Sequence, residues 1–297
     1  MSKSKRGKIL YYVIMLVLIA VFLVSAIMLI DYAVKSWKSQ SNYNELQEIV
    51  NQNRPTKPAK PKPTGGTPRP TEEGRIPEGT EPEETTTEAT LPPLVTITDP
   101  ETGKEMEILR EYAELYKMNT DLVGWMEIPG TRVSYPVVQR PEWVDYYLHR
   151  DFYGNYDPHG CLYAREQCDV AKPSDNITIY GHRMKDGTMM GDVGKYELKS
   201  FWEENQYIYF DTLTEHHTYQ IVYVFKTTAS LGEGFQYHLF VDARNENEFN
   251  NFVNSCKANA LYYTGLEAQF GDKLITLSTC EYTLDNGRLV VVAKRID

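Results

Sequence analysis

Cysteine is scarce in this sequence, with four residues in a chain of 297. So few cysteines exclude a disulfide framework as the basis of the fold. Cys161 and Cys256 lie among apolar residues and are predicted to be core, whereas Cys168 follows in a polar loop and is predicted to be exposed. Free thiols are the favoured interpretation, and a bridge between Cys161 and Cys168 is the alternative.

An excess of basic residues is also missing. The chain has 31 Lys and Arg against 41 Asp and Glu, a formal net charge of −10 at pH 7. An acidic exterior of this kind argues against nucleic acid as a partner. The six histidines include no pair with convincing metal-ligand spacing, so the sequence predicts no structural or catalytic metal.

Long hydrophobic runs are absent except for one, residues 9–30, which is uncharged and almost wholly apolar. About twenty such residues span a bilayer core as a helix. Residues 1–8 carry four basic residues and no acid, which predicts a cytoplasmic N-terminus and everything C-terminal outside the cell. The interpretation is a transmembrane signal-anchor; a cleaved signal peptide and a buried core helix are the weaker alternatives.

Residues 31–94 are interpreted as a juxtamembrane segment followed by a linker. Residues 31–50 are compatible with a short helix, whereas 51–94 contain ten of the sixteen prolines among Thr, Glu, Gly and Lys. Such a composition buries too little apolar surface to fold and favours a semi-extended solvated tether. The charges of this segment are also separated into a basic half and an acidic half. A more specific hypothesis is that the basic half binds anionic lipid or wall polymer.

The remaining residues, 95–297, are predicted to form one mainly β domain. Residues 105–118 show apolar spacing typical of a helix, a short helix is expected around 191–198, and a longer one at 245–261. About eight strand candidates separated by turns suggest a closed barrel. These are GWMEIPGTRVSYPVVQ, YYLHRDFYG, GCLYARE, NITIYGH, YIYFDT, TYQIVYVFKTT, KLITLSTC and RLVVVAKRI.

The C-terminal stretch 272–297 indicates strand, turn and strand, with the turn at Asp-Asn-Gly. It would bring Cys280, at the end of one strand, beside Arg288, at the start of the next. A third short strand, 176–180, leads into His182. A thiol needs a nearby cation or base to become a nucleophile, and an imidazole can take and return its proton. The arginine stays protonated and can only donate hydrogen bonds, for example to an oxyanion.

The motif TLSTC followed closely by an arginine, with IYGHRMKDGTMMGDVGKY upstream, resembles the sortases, and specifically class B. The resemblance covers roughly 112–296 and implies an eight-stranded barrel with an N-terminal helix and an extra helix before the cysteine strand. It implies Cys280, His182 and Arg288 as catalytic residues and requires no cofactor. Leu148, Tyr180, Ser278 and Glu281 match substrate-groove positions of the family. An expected asparagine is not evident at 142–145, and 229–237 should form a groove wall.

The resemblance implies a membrane-anchored cysteine transpeptidase of a Gram-positive surface. Its substrates would be surface proteins with a C-terminal sorting signal, cleaved after a threonine through a thioester. The acceptor would be an amine of a cell-wall precursor such as lipid II, or a pilin lysine. The alternatives are a cysteine peptidase or cell-wall hydrolase that uses water, and a tethered binding module without catalysis.

Overall fold

A computed structural model of the chain describes residues 3–54, 93–230 and 232–297. The first element is a single helix, α1, Lys3–Asn53, which runs through the apolar stretch without a break. The tether interpreted from residues 51–94 lies mostly outside the described residues, so its conformation stays a prediction. The described chain resumes at a small hairpin of two strands, β1 (Leu94–Thr98) and β2 (Glu105–Leu109).

Eight further strands close into a barrel in the order β10-β8-β7-β3-β4-β5-β6-β9. Closure leaves no unpaired strand edge in the barrel. Most pairs are antiparallel, but β4–β5 and β6–β9 are parallel. The strands are β3 (Leu122–Glu127), β4 (Ser134–Val138), β5 (Leu162–Ala164), β6 (Asn176–Tyr180), β7 (Tyr207–Thr212), β8 (Thr218–Thr228), β9 (Leu274–Cys280) and β10 (Gly287–Arg295).

The last strand shows how the barrel is filled on both faces. In β10, Leu289 and Val291 belong to the main core inside the barrel, whereas Val290 and Val292 join a second cluster outside it. Alternate side chains of a strand point to opposite faces, so a strand buried on both sides has a continuous apolar run. This explains why the sequence RLVVVAKRI lacks polar alternation.

The outer cluster is covered by the helix α4, Glu246–Asn259, which confirms the helix predicted at 245–261. Asn245 caps it, because its side chain accepts a hydrogen bond from the backbone N–H of Glu248 at 3.1 Å. Its buried face consists of Phe249, Phe252, Val253 and Cys256. Two shorter α-helices, α2 (Ala113–Met118) and α3 (Lys199–Glu204), complete the domain.

The helix predicted over 105–118 is wrong in its first half. Residues Glu105–Leu109 form β2, Arg110–Tyr112 form a 3-10 turn, and only Ala113–Met118 are α-helical. The apolar spacing was compatible with a helix, but pairing with β1 satisfies the backbone of these five residues instead. The short helix expected around 191–198 is present, but Asp192–Glu197 form a 3-10 helix rather than an α-helix. α3 begins after one intervening residue, at Lys199.

The predicted count of eight strands is correct because two errors cancel. The candidate YYLHRDFYG is not a strand: it contains the 3-10 turn Tyr146–His149. The candidate GWMEIPGTRVSYPVVQ supplies two strands, β3 and β4, which pair with each other.

The end of α1 packs against the barrel. Ser39, Tyr43, Leu46 and Val50 are buried, and the last three belong to the main core. Their spacing of three to four residues places them on one face of the helix. The hydrophobic core thus includes residues that precede position 95, where the sequence predicted the folded domain to begin.

Candidate active site

The hairpin of β9 and β10 sets Cys280 beside Arg288. Cys280 is the last residue of β9, Arg288 is the second residue of β10, and the two are direct partners in the antiparallel register. The connecting turn uses Asn286 at φ 49°, a left-handed conformation that asparagine tolerates better than most residues. The sequence therefore places a thiol and a guanidinium across one strand pair.

The parallel pair β6–β9 brings His182 to the same end of the barrel. Tyr180 and Ser278 are register partners, so His182 and Cys280 each lie two residues beyond the paired position. Beyond the strands the two segments stay linked, since the Thr279 hydroxyl donates to the Gly181 carbonyl at 2.8 Å. The three residues predicted to be catalytic thus follow or begin three neighbouring strands.

The His182 imidazole is oriented by the 3-10 turn Tyr146–His149. Its Nε2 lies 2.7 Å from the carbonyl oxygen of Leu148, and its ring stacks on His149 with centroids 5.3 Å apart. A carbonyl can only accept, so Nε2 carries the hydrogen in this bond. In the neutral imidazole Nδ1 is then the nitrogen with a free lone pair, and it is the atom that can take a proton.

Burial lowers the pKa of His182 below its ordinary value of 6.5, and the charges of His149 and Arg288 lower it further, against the Leu148 carbonyl, which raises it. At neutral pH the imidazole is therefore predominantly neutral. A neutral imidazole is a base, so the resting histidine can accept a proton from a thiol.

A cavity of about 260 Å³ opens at this end of the barrel. It is lined by Cys280, His182 and Arg288, and by three of the four residues predicted to bind substrate: Leu148, Tyr180 and Ser278. A larger hollow of about 480 Å³ lies against α4, but none of those six residues lines it. The smaller cavity is the candidate active site, because it joins a thiol, an imidazole and a guanidinium.

The Arg288 guanidinium is held by its own turn. Nη1 donates to the backbone carbonyls of Gly287 at 2.9 Å and Asn286 at 3.2 Å. Within the described part of the chain no salt bridge joins Arg288 to a carboxylate, and the nearby Glu281 pairs with Lys226 instead. A half-buried guanidinium fixed by carbonyls keeps its positive charge available to a developing oxyanion.

Glu281 does not line the cavity, unlike the other residues predicted to bind substrate. It is 3% exposed and accepts hydrogen bonds from Lys226 at 3.0 Å and from the backbone N–H groups of Thr283 and Leu284. Burial opposes its ionisation, but the bonds from Thr283 and Lys226 outweigh it and lower the pKa of Glu281 to about 2. In this structure Glu281 braces the β9–β10 turn that carries Arg288.

One part of the cavity wall comes from a segment that the family resemblance implied, and another part from a residue that sequence reasoning missed. Ala229 and Tyr237 line it, and the Tyr237 hydroxyl lies 2.6 Å from the Ser278 hydroxyl. Both belong to 229–237, which was expected to form a wall, although Leu231 within it lies outside the described residues. Sequence reasoning missed Asp145, which lines the cavity in a left-handed conformation, with φ 53°, and accepts a hydrogen bond from Tyr163 at 2.7 Å. It also missed His149, which stacks on the His182 ring.

The other cysteines are buried free thiols. Cys168, predicted to be exposed, is buried and directs its thiol at the Asn176 carbonyl. Cys161 faces the Pro136 carbonyl, and burial raises its pKa to about 12. Cys280 is the one cysteine that solvent reaches. Among the described residues no group of three His, Cys, Asp or Glu side chains could hold a metal ion.

Comparisons with known proteins agree with this geometry. The model of the sortase domain matches residues 126–296, more than half of the chain. Sortase B of Staphylococcus aureus is 30% identical over 197 residues, which cover 65% of this chain and 78% of that protein. Sortase B of Listeria monocytogenes is 29% identical over 192 residues, covering 64% and 76%.

Solved structures give the same result. The complex of Bacillus anthracis sortase B with AAEK1 superposes with a TM-score of 0.58 at 30% identity, covering 69% of this chain and 90% of that one. The Staphylococcus aureus sortase B–substrate complex gives 0.59 at 29% identity, covering 64% and 86%. The eight-stranded barrel, the helix before the cysteine strand and these relatives lead to one conclusion: the chain belongs to the sortase family, as a class B sortase and thus a sortase transpeptidase.

Proposed function

We propose that this enzyme cleaves the C-terminal sorting signal of a surface protein after threonine and transfers the new carboxyl end to an amine. The observation that carries the proposal is the cavity that Cys280, His182 and Arg288 line together. The sorting-signal substrate is supported by the substrate complex of the Staphylococcus aureus relative.

In the first step the Cys280 sulfur attacks the carbonyl carbon of the scissile peptide bond. Nδ1 of His182 takes the thiol proton, because Nε2–H is already donated to Leu148. The carbonyl oxygen gains negative charge, and the Arg288 guanidinium stabilises it by hydrogen bonding. When the carbon–nitrogen bond breaks, His182 passes its proton to the leaving amine, and a thioester to Cys280 is left.

In the second step an incoming amine attacks the thioester carbon. His182 accepts a proton from the amine and returns it to the Cys280 sulfur as the carbon–sulfur bond breaks. The products are a new peptide bond and the free thiol, so no cofactor is consumed. The acceptor is an amine of a cell-wall precursor such as lipid II, or a pilin lysine; both supply the same nucleophile.

The wall of the cavity supplies substrate contacts. Leu148 and Tyr180 give apolar surface, whereas the paired hydroxyls of Ser278 and Tyr237 give polar contacts. The buried position of Ser278 near the C-terminal end of β9 suits it to orient a peptide backbone rather than to react. Glu281 contributes indirectly by holding the turn that presents Arg288.

The N-terminal helix places the enzyme at the membrane. α1 contains a stretch long and apolar enough to cross a bilayer, and its side chains there are exposed in the structure. Exposed Leu, Ile, Val and Phe on all sides of a helix are typical of a lipid environment. The basic residues of 1–8 favour a cytoplasmic N-terminus and an extracellular catalytic domain.

The first prediction tests the reaction class. Full-length enzyme in detergent is incubated with a panel of sorting-signal peptides, with and without triglycine. The product masses are measured by mass spectrometry. We expect a peptide joined to triglycine, and loss of this product in Cys280→Ala but not in Cys168→Ala, because only Cys280 reaches the cavity.

The remaining outcomes separate the alternatives. Hydrolysis to the free acid at a rate that triglycine does not change would favour the cysteine peptidase. Peptide binding without any Cys280-dependent turnover would favour the binding module.

A further inference from the structure

We propose that the last turns of α1, residues 36–53, are a docked support of the catalytic histidine, and that the membrane helix itself carries the catalytic domain. Arg54 and Pro93, which flank segment 55–92, then contact the domain at one place. The inference rests on the proposed membrane anchor and goes beyond the proposed reaction.

The first argument is the continuity of the helix. α1 is unbroken from Lys3 to Asn53, so no linker separates the apolar stretch from the buried face at Ser39. From Ile30 to Ser39 is about 13 Å of helix at 1.5 Å per residue. The catalytic domain is therefore held a short, fixed distance along the helix from the apolar stretch.

The second argument is where the ends of segment 55–92 lie. Arg54 donates to the Tyr112 hydroxyl at 3.0 Å and to Asp211 at 3.1 Å. On the other side of the segment, the Pro93 carbonyl accepts from the Arg110 backbone N–H at 2.9 Å. Both ends thus contact the same 3-10 turn, Arg110–Tyr112. A segment whose two ends meet on one turn of the domain does not separate that domain from the membrane.

The third argument is a contact route from α1 to the His182 side chain. The Tyr43 hydroxyl is buried and donates to the Gly160 carbonyl at 2.6 Å. Gly160 abuts the Leu148 carbonyl so closely that a Cβ there would lie 2.4 Å from its oxygen. That same oxygen holds Nε2 of His182 at 2.7 Å. Displacing Tyr43 therefore shifts the group that fixes the imidazole.

A second route reaches the backbone of His182. The Tyr43 ring meets the edge of Tyr135 with centroids 5.3 Å apart, and the Tyr135 hydroxyl accepts from the Met189 N–H at 3.1 Å. The next N–H, of Met190, donates to the His182 carbonyl at 2.9 Å. Two independent routes from Tyr43 thus converge on one residue, which assigns Tyr43 as a positioning residue.

A protease-cleavage experiment tests the docking. A site for a sequence-specific protease is placed within 55–92 of the full-length protein in membrane vesicles. After cleavage and a high-salt wash, we expect the fragment that contains Cys280 to sediment with the vesicles. Release of this fragment into the supernatant, with the α1 docking residues unchanged, would overturn the proposal. If the uncleaved protein does not sediment with the vesicles, the proposed membrane anchor is wrong. This result is distinguishable from release of the fragment after cleavage.

Two aspartate variants assign the retention to α1. Leu46→Asp introduces a charge on the buried face and should release the cleaved fragment, whereas Asn44→Asp, on the exposed face, should not. Equal retention of the cleaved fragment in both variants would show that contacts other than the buried face of α1 hold it on the vesicles, and would overturn the proposal.

A conservative variant tests the coupling to the histidine without disrupting the fold. Tyr43→Phe keeps the ring and removes the bond to Gly160. We expect kcat to fall about 3- to 30-fold, in line with the cost of misplacing a catalytic group, and the pH dependence of kcat/KM to shift. Tyr263→Phe, an exposed tyrosine, is the matched control. An unchanged pH profile and kcat in Tyr43→Phe would show that α1 does not position His182.

Discussion

At the scale of single residues, the proton chemistry of His182 depends on two neighbours in one 3-10 turn. The Leu148 carbonyl fixes the hydrogen on Nε2, and the His149 ring stacks on the imidazole. The first contact selects the tautomer and leaves Nδ1 of the neutral ring with the free lone pair. The second places another titratable ring 5.3 Å away, so any charge on His149 disfavours a charge on His182.

Replacing His149 should therefore raise the pKa of His182. In His149→Phe a ring remains to stack, but the nearby charge that lowers the pKa is gone. We expect the midpoint of the His182 imidazole titration, followed by NMR, to move to higher pH. Burial and Arg288 still act in the variant, so the pKa should not reach that of a free histidine.

His238→Phe is the control for this titration, because His238 lines the same cavity without stacking on His182. An unchanged or lower midpoint in His149→Phe would contradict a repulsive effect of His149. It would assign the low pKa of His182 to burial and to the charges of His159 and Arg288.

At the scale of elements, the β9–β10 turn depends on one buried carboxylate. Glu281 receives two backbone N–H groups of its own turn and the ammonium of Lys226, which comes from β8. Lys226 also pairs with Glu197 at 2.8 Å. The turn that presents Arg288 is thereby tied to the neighbouring strand β8.

Neutralising this carboxylate should destabilise the protein in a pH-dependent way. The folded pKa of Glu281, about 2, lies below its ordinary value of 4.5, so its stabilisation is present above that value and is lost as pH falls toward 2. At pH 7 we expect Glu281→Gln to lower the free energy of unfolding by about 1–3 kcal/mol. Denaturant unfolding at several pH values measures it.

The wild-type advantage over Glu281→Gln should shrink as pH falls from 4.5 toward 2. A difference that stays constant over this range would show that shape, not charge, stabilises the turn. Glu107→Gln, at an exposed position on β2, should change stability little at any of these pH values.

Elements with a strong local signal were predictable from the sequence. α4 shows a helical apolar face and an asparagine cap, and β9–β10 combine apolar runs with an Asp-Asn-Gly turn. The failures occurred where pairing overrides local pattern: residues 105–109 are a strand because β1 lies beside them. The 3-10 turn Tyr146–His149 is rich in aromatics, which favour strands, but its backbone closes locally and aims a carbonyl at His182.

At the scale of the whole molecule, the cavity joins residues that are far apart in the chain. Cys280, His182 and Arg288 were predictable because each lies at the end of a strand with a recognisable motif. Asp145, which lines the cavity, and His149, which stacks on His182, were not, since a 3-10 turn places them and nothing in their own sequence context indicates a partner. The docking of α1 was missed because the proline-rich composition of 51–94 suggested that the folded domain begins after it.

If α1 carries the domain, segment 55–92 should be dispensable for reach. Replacing it with a Gly/Ser connection roughly fourfold shorter should stabilise the fold by about 1 kcal/mol through loop-closure entropy, since both ends already meet at Arg110–Tyr112. Anchoring of surface proteins in cells should stay at the wild-type level. By contrast, a flexible Gly/Ser insertion between Lys35 and Ser36 would uncouple the docked turns from the membrane helix and should reduce anchoring. Lost anchoring in the shortened variant, with activity on soluble peptides intact, would show that the segment acts as the spacer after all.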